Sequence, residues 1–405
     1  MHFKTIAHLG AAWLLWIAPT QQPLANEKTA TFRTDERRDK SLPWFKPVNG
    51  QFPPEGSAHY ISGELIKVDH TERELVIRVD RDDSQAASHL DLPLLLTLLP
   101  YGSIQYNGAP AALQDIPLGT HLHTWCYPKA DGDSRPPPFA LFNGRISSES
   151  EFRQCIRIQD DFSYHASRNT LWKIESVDLE KRKLSARPTG PKDKDAPPKQ
   201  FDLSPATEVI RNNGFGSLED IKPGQEMLMN LTWATLYGPG RISRMWLDPK
   251  SREMASARQM ARHRTYIRER GVPGFVVNVE DKTQIVTVTF FDGIDTSLFA
   301  DFDRIVPEPL GWPTSGGAKD DMKPKGTLAV AKTNLMMFDP LNDRKGGNIL
   351  AKRKVPVTPG SSGFQIDVQC DMLLEGYRTG EVVRFFPASW KVVALPKEEE
   401  FFGRE

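Results

Sequence analysis

The chain has 405 residues, 39% of them hydrophobic, with 32 prolines, 29 glycines and three cysteines. Lysine plus arginine equals aspartate plus glutamate at 52 each, which excludes a global field steering the protein toward nucleic acid or an anionic membrane. A chain this long holds two or three domains, and its turn-rich composition fits β modules better than a helical bundle.

Residues 6–18 are almost wholly apolar, follow His2 and Lys4, and give way to a Pro- and Gln-containing stretch ending at Ala25. This pattern predicts a secretory signal peptide over 1–25, because the apolar run is shorter than the roughly 20 residues that span a bilayer. The expected address is periplasmic or extracellular. No Cys lies near the cleavage region to carry a lipid, and no later segment is apolar enough to cross a membrane. Residues 26–58 are polar, charged and punctuated by Pro43, Pro47, Pro53 and Pro54, and read as an extended linker.

A first module, 59–146, opens with apolar and polar residues alternating on both sides of His70-Thr71-Glu72-Arg73, which predicts a β-hairpin. Asn107-Gly108 then marks a tight turn. Leu113-Gln114-Asp115-Ile116 and Gly119 follow, before a strand over 120–127. The second module, 147–248, repeats this order, with Asn212, Leu218-Glu219-Asp220-Ile221 and Gly224 in the corresponding places. In both, Leu and Ile supply a buried staple, Asp a turn acceptor and Gly a position of positive φ.

The third module, 249–405, sets Tyr266, Arg270 and Val279 against Tyr164, Arg168 and Val177 without a gap. Its closing half is expected at Leu374 to Gly380 and a strand over 381–386, after an insertion at about 292–363. Helices are expected over 148–160, with Glu149 and Glu151 near the start, and over 249–270. The latter has Arg268 and Arg270 near its end and Gly271 and Pro273 beyond. Its apolar stripe reads as Met254, Ala257, Met260, Ala261 and Ile267, with Arg264 and Arg268 beside it, placed to brace adjacent modules.

The fold class is therefore mainly β with connecting helices: three tandem small β-barrel, OB-like modules. β-Sandwich modules share the same strand signature. The order Gly63-x-Leu65-x-x-Val68-Asp69, a returning strand, Asn107-Gly108 and Leu113-x-Asp115-Ile116-x-x-Gly119 resembles the small barrel modules of uncharacterised exported bacterial proteins. With the third copy counted, the resemblance covers most of the chain after about residue 59. It implies a fold and no activity; Trp172 stands in the second module where the first has Gly63.

Phosphate loops, zincin helices, paired Cys-x-x-Cys ligands and nucleophile elbows do not occur, so neither catalytic residues nor a cofactor are expected. Gly360-Ser361-Ser362-Gly363 lacks an elbow's spacing and reads as a loop. His121-x-His123 places two imidazoles on one face of a strand, where both could address one copper or zinc ion, with Cys126 on the other face. A solvated strand explains the same pair. Arg258 and Arg262 on the cationic helix could bind an acidic polymer or a phosphate-bearing surface. Cys126 and Cys155 either form the single possible bridge or stay buried as thiols. Trp125, Trp172, Trp233, Trp246 and Trp390 either line a stacking face or fill cores. The expected function is an exported, non-catalytic binding or structural protein with a protein or polymer partner and no nucleic acid. The alternative is an enzyme with its site in the 292–363 insertion.

Overall fold

The computed structural model describes residues 31–36, 41–80, 93–135, 151–193, 195–232, 240–303, 328–333, 345–370, 373 and 376–390. The expected signal peptide, Trp233 and Leu374 lie outside them. The first barrel comprises β1 (His59–Asp69), β2 (Glu74–Val79), β3 (Pro93–Tyr106), the short β4 (Ala109–Pro110), β5 (His121–Pro128) and β6 (Phe152–Asp160). They pair in the order β2-β1-β5-β6-β3-β4, and a further β2–β3 pairing closes the ring. Leu65, Leu75, Ile77, Leu96, Leu122 and Ile158 fill its interior.

A six-residue helix, α1 (Asp161–Ala166), leads into the second barrel. Its strands are β7 (Trp172–Asp178), β8 (Lys183–Pro188), β9 (Lys199–Asp202), β10 (Glu208–Arg211), β11 (Gly214–Gly216), β12 (Glu226–Thr232) and β13 (Arg241–Trp246). Here a β9–β13 pairing closes the ring. The helix α2 (Pro249–Arg270) precedes the third barrel, built from β14 (Val272–Glu280), β15 (Ile285–Phe291), β16 (Leu328–Thr333), β17 (Lys345–Lys354), β18 (Ser361–Cys370) and β19 (Val382–Pro387). No helix among the described residues is long and apolar enough to cross a membrane.

The same local physics starts every barrel. The first hairpin turns through Arg73, Arg182 or Gln284, each at φ between 51° and 56°, a left-handed conformation uncommon outside glycine. A register shift then interrupts the first strand at the same place, between Leu65 and Lys67, Ile174 and Ser176, or Val276 and Asn278. Against it sits a glycine, Gly119, Gly224 or Gly380, whose N–H donates to the carbonyl of Leu65, Ile174 or Val276 at 2.7–2.8 Å. Their φ values of 85°, 88° and 91° suit glycine and strain any other residue. In the first two barrels the Leu-x-Asp-Ile stretch forms a short helical turn, with Asp115 and Asp220 accepting from the Ala112 and Ser217 amides at 2.9 Å.

Strand direction distinguishes the third barrel. The first two each contain a parallel pairing, β3 with β6 and β9 with β13, whereas the third is an antiparallel ring, β14-β15-β18-β17-β16-β19. Two of its strands, β16 and β17, come from the expected insertion, which thus supplies barrel wall.

Two expectations are corrected. Of the segment expected as a helix over 148–160, Phe152–Asp160 is strand β6, because the gap between β5 and β3 is bridged by an extended chain that buries Phe152, Cys155, Ile156 and Ile158. The described part of the 26–58 linker is extended but not free. Trp44 packs on the first core, and the Phe52 ring lies 5.3 Å from that of Phe275, since aromatic surface of this size is costly to leave in water.

The helix α2 ends at Gly271 as expected, but its buried residues are Ser251, Gln259, His263, Ile267 and Arg270, not the Met and Ala stripe. The reason lies in what it crosses: turns that present carbonyls and carboxylates. Arg252 donates to the Glu226 carbonyl in the second barrel. Ser256 donates to the Asn107 carbonyl at 2.7 Å, and Gln259 to Asp115 at 2.9 Å, in the first. Arg264 and Arg268 pair with Asp295 and Asp301 of the third, contacts within their own module and not the brace between adjacent modules expected of them. A single helix therefore touches all three barrels. The first and third also share a hydrophobic cluster, Tyr101, Tyr127, Ile156, Phe275 and Phe291, with Phe275 and Phe291 rings 4.9 Å apart.

His263 reports on this packing. Its Nε2 accepts the Asp295 amide at 3.2 Å, so only the neutral ring fits, and burial lowers its pKa to about 4. The unfolded chain takes up that proton near pH 6.5 but the folded one only near 4, so stability is full above pH 6.5 and declines as pH falls toward 4. Urea midpoints measured over that window are expected to fall less steeply for His263→Gln than for the wild type; equal slopes would contradict this assignment.

Candidate functional site

Residues two apart on β5 leave the strand on the same side, so His121 and His123 meet the first turn of α1 together. There Asp161 Oδ1 lies 2.7 Å from His121 Nδ1 and 3.0 Å from His123 Nε2. The outer nitrogens are occupied as well: His121 Nε2 is 2.7 Å from Asp80, and His123 Nδ1 is 2.6 Å from the Tyr60 hydroxyl. The second carboxylate oxygen of Asp161 accepts the Leu231 amide of the second barrel at 2.8 Å. His121, His123 and Asp161 are 5%, 6% and 3% exposed, and their three ligand-type atoms lie within 4.8 Å of one another. These are the residues that could hold a metal ion.

Asp160, one residue earlier, turns the other way. It caps α1 by accepting from Ser163 N at 2.9 Å, and also accepts from Asn107 N at 3.0 Å and Asn230 Nδ2 at 2.9 Å. Asn230 in turn accepts the Phe162 amide at 2.9 Å. Two adjacent carboxylates thus join the Asn107 turn and the histidines of the first barrel to β12 of the second.

Their environments separate them electrically. Burial outweighs the donors around Asp160 and raises its pKa to about 6. Burial would raise Asp161 too, but the His121 charge and the hydrogen bonds from both histidines hold it far below the usual carboxylate range. Burial alone would lower His121, yet Asp161 and Asp80 raise it well above an ordinary histidine. His123, with one carboxylate to answer two burial-exposed nitrogens, is lowered by burial. The charged form is thus favoured at His121, between two carboxylates, and the neutral form at His123.

Above the histidines lies a row of half-buried rings. Tyr164 stacks on His123 with centroids 3.6 Å apart and planes 9° from parallel. The Arg168 guanidinium covers Tyr164 at 3.5 Å, Trp125 follows at 6.3 Å, and Arg157 lies 5.6 Å from the Trp125 ring. Tyr60 meets Trp125 edge-on at 5.6 Å.

The remaining sequence-derived candidates are dispersed. Arg258 and Arg262 stand exposed on the outer side of α2, away from this cluster. Cys126 lies in the first-barrel core, opposite Cys155 in the strand register, and both are buried free thiols. Ser361 and Ser362, read from the sequence as loop, open strand β18, where the Ser361 hydroxyl accepts from Gly363 N and that of Ser362 donates across to the Phe290 carbonyl of β15. Trp172, Trp246 and Trp390 are buried, leaving Trp125 half-exposed. Asp161, Asp80, Tyr60 and Tyr164 were not anticipated. Nothing in the sequence around Asp161 links it to histidines about forty residues away.

No family model matches the chain, and no curated protein matches it. Among solved structures it is similar to a 1.0 Å structure of residues 10–88 of a tryptophan-to-alanine variant of CusF with Cu(II), from Escherichia coli. That likeness has 16% sequence identity, covers 20% of this chain and 88% of that one, and has a TM-score of 0.15. An overlap so slight carries no weight.

Replacing Asp160 with Ala leaves three buried donors unanswered and removes a helix cap. With unmet buried groups costing about 1–3 kcal/mol each, a loss of roughly 3–5 kcal/mol of unfolding free energy is expected in urea titration. A loss below about 1 kcal/mol would mean that the carboxylate is not holding the junction.

Proposed function

We propose that this chain is an exported, non-catalytic binding protein made of one barrel module copied three times, over 59–146, 147–248 and 249–405, behind a signal peptide over 1–25. The recurrence of the bulge, the left-handed hairpin residue and the glycine contact in each barrel supports a common origin. Contacts of α2 with all three barrels support a body that presents its surfaces in fixed relation.

The observation that carries the reading is the ring row of Tyr60, Trp125 and Tyr164, edged by Arg157 and Arg168. Rings already held by stacking lose little freedom when a ligand settles on them, and the guanidinium groups favour acidic substituents. The partner is accordingly an acidic polymer, for which a charged polysaccharide is the simplest probe. The competing enzyme reading draws no support from Ser361 and Ser362, whose hydroxyls bond to backbone at the start of β18.

The full chain should bind polygalacturonate and not dextran, with affinity falling as salt rises. Trp125→Ala and Arg168→Ala should each weaken binding about tenfold, consistent with about 1–2 kcal/mol for a stacking or cation–π contact. Absence of binding, or binding unaffected by both substitutions, would overturn the proposal.

A further inference from the structure

We propose that His121, His123 and Asp161 form a binding site for one divalent cation of the zinc class, buried where the first two barrels meet. This goes beyond the surface reading above, and none of its three ligands belongs to the ring row.

Convergence is the first ground. His121 Nδ1 and His123 Nε2 both aim at Asp161 Oδ1, from 2.7 and 3.0 Å. Zinc bonds of about 2.0–2.2 Å place tetrahedral ligand atoms about 3.3–3.5 Å apart. Opening the cluster by about half an ångström, within reach of side-chain rotation, admits the ion.

The outer shell is the second. A metal-ligating histidine needs its other ring nitrogen anchored, commonly to a carboxylate. His121 Nε2 has Asp80 at 2.7 Å, and Asp80 is itself held by the Ser62 hydroxyl at 2.7 Å. His123 Nδ1 has the Tyr60 hydroxyl at 2.6 Å, and the spare oxygen of Asp161 has the Leu231 amide at 2.8 Å. Each ligand is thus oriented from behind, and the ring of His123 is further fixed beneath Tyr164.

Charge is the third. Two carboxylates, Asp80 and Asp161, flank the pair of imidazoles, while Glu64 nearby is already paired with Arg78. A dication between neutral imidazoles would balance those two carboxylates.

The donor set names the class. Two imidazoles and one carboxylate suit Zn²⁺, with Co²⁺ and Cu²⁺ as stand-ins, and not the oxygen-seeking Ca²⁺ or Mg²⁺. No thiolate takes part, since Cys126 belongs to the barrel core. Three protein ligands leave a fourth position for water.

The test uses the full chain, stripped with a chelator and titrated with Co²⁺ and then Zn²⁺. One equivalent should bind per chain, with visible bands of four-coordinate Co²⁺ that Zn²⁺ abolishes. His123→Ala should lose the bands. Asp80→Asn, which spares all three ligands and guards against a variant that fails to fold, should weaken Zn²⁺ about 10- to 100-fold. Failure of the wild-type chain to bind, or Co²⁺ bands and affinity unchanged in both variants, would overturn the proposal.

Discussion

Two neighbouring carboxylates with opposite allegiances hold the junction on which the described structure depends. Asp160 faces the Asn107 turn and Asn230; Asp161 faces the two histidines and the Leu231 amide. Burying a charge is expensive unless donors surround it, and removing any partner leaves the rest uncompensated. The first and second barrels are consequently coupled: neither can move away without exposing donors that the other was satisfying. The metal site proposed above would sit in the same junction.

The same device recurs one module later in simpler form. Asp248 caps α2 and accepts the Asn212 amide at 2.9 Å, as Asp160 caps α1 and accepts that of Asn107. Ser251 and Ser163, three residues on, take the next amide of each turn, Asn213 and Gly108. Each of the first two barrels therefore hands its Asn turn to the helix that follows. What the second lacks is a counterpart to the histidines, since Glu226 and Leu228 occupy the corresponding strand positions. Chemistry is concentrated at the first junction, where the half-exposed rings and arginines also lie.

Hairpins, bulge-facing glycines and the Leu-x-Asp-Ile turns were legible in the sequence because each depends on local backbone geometry. The span of α2 was legible for the same reason, through Pro249 and Gly271. Strand β6 was not. Glu149 and Glu151 imitate a helix start, and a short apolar run does not reveal whether two strands wait on either side of it. The buried face of α2 misled in another way: a helical wheel assumes an apolar target, whereas this helix lies on a turn carbonyl and a carboxylate that take donors from Ser256 and Gln259, and on an amide that takes an acceptor from His263. For the site, the shared face of His121 and His123 followed from strand period. Their carboxylate partners, Asp161 and Asp80, are brought to them only by closure of the barrel.

The most direct measurement of the coupled junction is hydrogen exchange, residue by residue, at the amides of Leu231 and Phe162, which donate across it to Asp161 and Asn230. If the barrels part only when they unfold, these amides exchange as slowly as that of Leu65 in the first-barrel interior. Exchange about a hundredfold faster than Leu65, with the barrel cores still protected, would show that the junction opens by itself and contradict the buried carboxylate pair as the constraint.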